Sequence, residues 1–229
     1  MNFFRTEWDK LKIMSFTEKR QYIWEYYKLH MAGIAIAVFF VGGLINTLIL
    51  NPPRQEYLYF AWVGPFVALQ SLDGFMEELE VIVENTDRYT IRAANYGTQG
   101  QDPQVIMALQ TRFVANLQFG NLDVFMMSPY DMRDFANAGF LMPVMPLMEA
   151  VRSHNAALYE VLSQRLFFLT FYPDDDEVAH EDYMAINLDG VMFLEELGIN
   201  TEDLYMGVAL NAHRFDRVAR ALEVIFDEK

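Results

Sequence analysis

The chain of 229 residues contains no cysteine and has few basic residues for its length. Without a thiol it can form no disulfide, no cysteine-ligated zinc site, no covalent haem attachment and no thiol nucleophile. Its 17 Lys and Arg stand against 32 Asp and Glu, which gives a net charge of −15. Contacts to phosphates of DNA or RNA need clustered cations, so we expect no nucleic-acid partner.

Motifs of catalysis and metal binding are also missing. The four histidines (His30, His154, His180 and His213) form no H-E-x-x-H pair, and the chain has no G-x-S-x-G, Ser-x-x-Lys or phosphate-loop sequence. The carboxylates of segment 173–182 offer oxygen ligands for calcium, but their spacing fits no EF-hand, and we interpret the segment as a solvated loop. We therefore expect no catalytic residue, no metal and no cofactor; a hydrolase is the third hypothesis.

One long apolar run is present near the N-terminus. Between Lys28 and Arg54 no residue carries a formal charge, and Met31–Leu50 alone would span roughly 30 Å as a helix, the thickness of a bilayer core. Two alternatives are a buried helix of a soluble domain and a cleavable signal peptide. The run ends in large residues and two prolines rather than in a cleavage site, so we predict an uncleaved transmembrane helix over 29–50.

The charges on either side of this run predict its orientation. Residues 1–28 hold six Lys or Arg and four acids, a net of +2, whereas 51–229 hold eleven and twenty-eight, a net of −17. By the positive-inside rule the basic segment 1–28 stays in the cytosol and the domain 51–229 lies outside the cell membrane. Trp24, Tyr26 and Tyr27 are the expected anchors at the inner lipid interface.

The remaining sequence alternates between strand-like and helix-like segments. Local signals mark several boundaries: Asp102-Pro103 and Ser128 begin helices, and Gly120 and Gly139 end them. A capping box is expected at Ser15 with Glu18. The pattern predicts an α/β domain with an open, mainly parallel sheet flanked by helices. Strands are predicted over 56–66, 89–97, 122–127, 165–172, 183–188 and 204–212, and helices over 72–84, 103–119, 129–138, 148–163, 191–197 and 216–226.

Two blocks, 108–143 and 204–226, carry an ordered pattern of small, aromatic and glycine residues around strands. The residues are Ala108, Phe113, Ala115, Gly120, Leu122, Asp123, Val124, Phe135, Ala136, Gly139, Phe140, Leu141 and Pro143, then Gly207, Val208, Asn211, Ala219, Ala221 and Leu222. This pattern resembles bacterial extracellular solute-binding proteins of the two-lobed periplasmic type. The chain also resembles small bacterial single-span proteins that carry one such domain outside the membrane. It is shorter than the two-lobed members, which implies a reduced or absent second lobe.

The resemblance implies a ligand site at the carboxyl ends of the parallel strands, where helix N-termini gather. The candidate ligand-binding residues there are Tyr96, Thr98, Gln99, Ser128 and Tyr130; ordinary turn and cap chemistry is the alternative explanation of these residues. We expect a membrane-anchored, non-catalytic recognition domain whose partners are the lipid bilayer and a small solute or a membrane transporter component. The alternative is a structural component of a cell-envelope assembly that keeps the fold without a cleft.

Overall fold

A computed structural model describes residues 14–63, 67–97, 102–172 and 178–227, with the side chain of Ile23 left out. The chain divides into two compact units between Pro53 and Arg54.

The first unit is a single long helix. Helix α1 (Phe16–Ile45) begins with the expected capping box, in which Ser15 N donates to Glu18 Oε2 at 2.8 Å, and it continues into a π-helical turn (Asn46–Leu50). Among the described residues one helical stretch, Trp24–Leu50, is long and apolar enough to cross a membrane, and no part of it is buried inside the protein. Its 27 residues correspond to about 40 Å of helix.

The second unit is an α/β domain built on one sheet. The strands are β1 (Gln55–Trp62), β2 (Tyr89–Asn95), β3 (Val124–Met127), β4 (Leu141–Met142), β5 (Leu166–Phe171), β6 (His180–Asn187) and β7 (Tyr205–Ala209). Their order across the sheet is β2-β1-β3-β7-β6-β5, and the short β4 pairs with β7. The helices are α2 (Leu69–Leu79), α3 (Pro103–Gln118), α4 (Pro129–Asn137), α5 (Met145–His154), α6 (Ala156–Ser163), α7 (Met192–Glu196) and α8 (Phe215–Ile225).

The prediction of a mainly parallel sheet is wrong. Strand β1 runs parallel to β2 and β3, but among the described strands the other four pairings are antiparallel. Two strands that follow each other in the chain can pair in parallel only if a crossover connection, usually a helix, returns the chain to the end of the sheet where the first strand began. No described residue between β5 and β6 is helical, so these two strands pair as an antiparallel hairpin. The sheet is therefore mixed, open and flanked by helices.

Aromatic packing holds helices on both faces of the central strands. On one face, Phe75 of α2 meets the rings of Phe60 and Trp62 at 5.0 and 4.9 Å between centroids. On the other face, Phe113 of α3 lies 5.9 Å from Phe125 and 5.5 Å from Phe135. Since residues alternate across a strand, β1 is buried on both sides, as its continuous apolar sequence predicts.

Gly207 at the centre of β7 lies close to the side chain of Leu141 on β4. A Cβ at Gly207 would lie 3.1 Å from Leu141 Cδ2, so a side chain there would require this leucine to shift by a few tenths of an ångström. Gly120 and Gly139 adopt positive φ angles of 65° and 68° after α3 and α4, the left-handed conformation that ends helices. The sequence prediction of these two helix stops is confirmed.

Candidate functional site

The carboxyl ends of the three parallel strands meet at one edge of the sheet. Trp62 pairs with Asn95 on one side and with Met126 on the other, which places Tyr96 and Ser128 at the same edge. The strand register thus brings together Tyr96 and Ser128, two of the five residues that the sequence predicts for ligand binding. Thr98 and Gln99 lie outside the described residues.

Tyr96 points into the domain rather than out of this edge. Its hydroxyl is 2.6 Å from the hydroxyl of Tyr59, it accepts a hydrogen bond from Asn116 Nδ2 at 3.0 Å, and its ring packs 5.2 Å from Phe113. Burial, together with the bond to Tyr96, raises the pKa of Tyr59 above its ordinary value. In this conformation Tyr96 joins β1, β2 and α3 in one internal network.

Ser128 and Tyr130 lie at the start of α4. Ser128 Oγ accepts a hydrogen bond from Asp131 N at 3.2 Å and donates one to Asp131 Oδ2 at 2.7 Å, which caps the helix. Tyr130 is 76% exposed. Ser128 is therefore engaged in its own helix, whereas Tyr130 is free to contact another molecule.

The expected membrane anchors lie on α1. Trp24 and Tyr26 are 67% and 66% exposed. The ring of Tyr27 lies 5.8 Å from the ring of His30. These residues occupy the part of the helix that precedes its apolar core.

A cleft opens at the opposite, amino-terminal edge of β1 and β2. It encloses about 730 Å³, and we call it the arginine cleft. Its lining combines the starts of β1 and β2, the residues before β2, and the beginning of α8. The lining residues are Gln55, Glu56, Tyr57, Glu84, Asn85, Tyr89, His213, Arg214, Asp216, Arg217 and Arg220.

Arg214 fixes the beginning of α8 to the sheet. Its Nε lies 3.0 Å from Asp123 Oδ1, Nη1 donates to Glu56 O at 2.8 Å, and Nη2 donates to Asn121 O at 3.2 Å. Asp123 is fully buried and also accepts a hydrogen bond from Tyr59 N at 2.9 Å. Burial raises the pKa of Asp123 to about 6, although the charge of Arg214 and the bond from Tyr59 N act in the lowering direction. This ion pair is a structural support of the cleft.

Arg217 lies one turn further along α8, over two aromatic rings. Its guanidinium carbon is 4.4 Å from the ring centroid of Tyr57 and 5.5 Å from that of Tyr89, and Nη1 donates to Tyr57 O at 3.2 Å. Tyr57 and Tyr89 meet edge to face at 6.1 Å. Cation–π contact and the carbonyl bond together hold the guanidinium in place.

The charges of the cleft are mostly paired. Glu56 hydrogen-bonds to Arg92, Glu84 lies 2.9 Å from Arg220, and the 81% exposed side chain of Asp216 lies 3.4 Å from His154. No Asp or Glu of the described residues lies within ion-pair distance of Arg217. Arg217 is thus an uncompensated cation in a strongly acidic domain.

The arginine cleft presents charged, hydrogen-bonding and aromatic groups. Across the described part of the chain, no group of three or more His, Asp or Glu side chains is placed to hold a metal ion. What the cleft offers is a fixed guanidinium, two tyrosine rings and a helix start without a side-chain cap.

The arginine cleft was not predicted from the sequence. A signal was present: Arg214, Arg217 and Arg220 recur every three residues directly after His213, in a domain that has few other cations. Side chains three apart lie along one side of a helix. Nothing in the sequence indicated that Tyr57 and Tyr89 lie beside this helix.

Comparisons with known proteins give no relative: no family model, no curated protein and no solved structure matches the chain.

Proposed function

We propose that this protein is a single-pass membrane protein whose α/β domain recognises a small solute, or a partner membrane protein such as a transporter component, without transforming it. In this proposal α1 is an uncleaved anchor, its N-terminus lies in the cytosol, and the domain lies outside. The relation to bacterial extracellular solute-binding proteins belongs to the proposal and rests on the sequence pattern of 108–143 and 204–226.

The observation that carries the proposal is the arginine cleft. Binding sites for small molecules are concave, have aromatic walls and present a few fixed polar groups. Tyr57 and Tyr89 give the cleft two aromatic walls and Arg217 gives it a fixed polar group, and the other lining residues are polar or charged. Its volume of about 730 Å³ is within the range of ligand pockets.

The test is a thermal-shift screen of the full chain in non-ionic detergent against a broad library of metabolites. Ligand binding to the folded state raises the melting temperature, by mass action. We expect at least one compound class to raise it, and expect Arg217→Gln to abolish the shift while Arg133→Gln, an exposed arginine on α4, leaves it unchanged. No shift with any compound, together with no co-purifying membrane protein, would contradict the proposal.

A second function, in a cell-envelope assembly, is favoured by the outermost strand of the sheet, β5. Strand β5 ends the sheet and contains no charged residue. Phe168 on β5 is 51% exposed and meets Tyr183 of β6, which is 41% exposed, edge to face at 5.4 Å between ring centroids. Uncharged edge strands are ready to pair with another chain. Affinity capture of the full chain from membranes tests this role: Phe168→Asp, and not Arg217→Gln, should then release the captured partner.

A further inference from the structure

We infer that the arginine cleft takes a small molecule in which one carboxylate is attached to a flat apolar body. This inference rests on the proposed function and names the class of its ligand.

The charge at the cleft first indicates an anion. Arg214 is neutralised by Asp123 and Arg220 by Glu84, but Arg217 has only a backbone carbonyl and two rings as partners among the described residues. The start of α8 adds the partial positive charge of an uncapped helix N-terminus beside it. A carboxylate at this position would gain both interactions.

The same surroundings limit the ligand to a single negative charge. Glu56, Glu84 and Asp216 also line the cleft. A second anionic group would find no further unpaired arginine in the lining, because Asp123 already pairs with Arg214 and Glu84 with Arg220. Polyphosphates and nucleic acids are therefore poor ligands, in agreement with the acidic composition of the domain.

The geometry of Arg217 selects a carboxylate. A guanidinium presents paired N–H donors in a rigid fork that matches the two oxygens of a carboxylate. In Arg217 only Nη1 has a hydrogen-bond acceptor among the described residues, and the stacking on Tyr57 restricts the plane of the fork. The donors are thus organised before a ligand arrives, which lowers the entropy cost of binding.

The two tyrosine rings favour a flat apolar group as the uncharged part of the ligand. Tyr57 is 7% exposed and Tyr89 is partly buried, and their rings meet edge to face at 6.1 Å. Aromatic pairs of this kind favour stacking or edge contact with a further flat apolar group. A planar ring that carries one carboxylate would place its charge on Arg217 and its ring against Tyr89.

The experiment is isothermal titration of the full chain, in non-ionic detergent without phospholipid, with three probes that each carry one charged group on a benzene ring: benzoate, phenyl phosphate and benzylamine. We expect benzoate to bind, benzylamine to give no heat of binding, and phenyl phosphate to bind more weakly than benzoate. Arg217→Gln should raise the Kd for benzoate at least tenfold, Arg217→Lys should give an intermediate value, and Arg133→Gln should match the wild type. Added salt should weaken binding.

Three results would overturn the inference: benzylamine binding as tightly as benzoate, phenyl phosphate binding more tightly than benzoate, or an unchanged benzoate Kd in Arg217→Gln. If benzoate does not bind but another compound gives a thermal shift that depends on Arg217, the carboxylate class is wrong and the proposed function stands. If no compound gives such a shift and no membrane protein co-purifies, both fail. A circular dichroism spectrum of each variant equal to the wild type shows that loss of binding is not loss of folding.

Discussion

Arg214 and Asp123 form an ion pair in which two charges are removed from water to join α8 to the sheet. Asp123 is fully buried and the Arg214 side chain is 14% exposed. Such pairs contribute little net stability when both partners are present, but removal of one partner leaves a buried charge without compensation. The location of the arginine cleft depends on this pair, since Arg214 directly precedes the helix that bears Arg217 and joins the start of that helix to the sheet.

Replacement of Arg214 by methionine should therefore destabilise the domain strongly. Arg214→Met leaves the Asp123 carboxylate unpaired and also removes donors from the carbonyls of Glu56 and Asn121. We expect a loss of about 3–5 kcal/mol in the free energy of unfolding, measured by denaturant titration. Adding Asp123→Asn should restore part of it, whereas Arg133→Met should change stability by less than about 0.5 kcal/mol. Equal effects of Arg214→Met and Arg133→Met would show that the pair supports nothing.

The titration of Asp123 should make stability depend on pH. The pKa of Asp123 in the folded protein, about 6, lies above the ordinary value of 3.8, so the folded state holds this proton more tightly than the unfolded state. The stabilising contribution is then fully present below about pH 4 and is lost as the pH rises through about 6. The difference between pKa values of about 6 and 3.8 corresponds to roughly 3 kcal/mol.

Unfolding curves between about pH 4 and pH 7 should show this loss in the wild type and lack it in Asp123→Asn. The comparison of the two proteins isolates Asp123, because all other carboxylates titrate alike in both. A pH dependence that is identical in the two proteins would refute the role of Asp123.

At the residue scale, the sequence was informative where the interaction is local. The Ser15–Glu18 box and the Ser128 cap join residues three apart, and Gly120 needs only its own φ angle, so each was predictable from a short stretch. Arg214 and Asp123 are 91 residues apart, and Arg217 and Tyr57 are 160 apart. No local pattern specifies such pairs, since the fold alone brings them together.

Among the elements, α4 shows how a candidate ligand-binding residue can have a structural role. Ser128 satisfies the free N–H of Asp131 at the start of the helix. Ser128→Ala should cost about 1 kcal/mol of stability, and Ser128→Asp should keep most of it, because Asp is an equally good cap. Thermal unfolding of the two variants measures this. If Ser128→Ala is neutral, the cap contributes nothing and the hydroxyl is available for another purpose.

The elements themselves were largely predictable, but their arrangement was not. Caps, glycine stops and apolar spacing predicted most of the helices and strands of the domain within a few residues. The helix predicted over 148–163 divides at Asn155, which leaves helical geometry at φ −149° and caps the second part by accepting a hydrogen bond from Leu158 N. Strand order depends on contacts between distant segments, which is why the antiparallel insertion of β7 between β3 and β6 had no signal in the sequence.

At the scale of the whole molecule, charge is separated along the chain. The basic residues near the N-terminus precede an apolar helix, and the acidic domain follows it. Arg217 lies in the acidic part of the chain and has no acidic partner among the described residues. The negative charge of the domain repels anions at long range, so an anion can bind only where local contacts such as those of Arg217 outweigh this repulsion.

The helix α1 should hold the full chain in the bilayer. Phe39→Lys combined with Phe40→Lys places two charges in its apolar core, each at a cost of about 3 kcal/mol for insertion. We expect this variant to be released from membranes by an alkaline carbonate wash, while the wild type and the matched Phe39→Leu, Phe40→Leu variant stay in the pellet. Retention of the double lysine variant would argue that another segment binds the membrane.

The side of the membrane on which the domain lies is the most direct test of the account. Because the chain has no cysteine, a single introduced thiol reports its own location without background. Glu202→Cys lies at an exposed position in the domain and Thr17→Cys at an exposed position near the start of α1. We predict that a membrane-impermeant maleimide applied to intact cells labels the Glu202→Cys protein, and labels the Thr17→Cys protein only after the cells are permeabilised. Labelling of the Thr17→Cys protein alone in intact cells would place the cleft in the cytosol and contradict the proposed function.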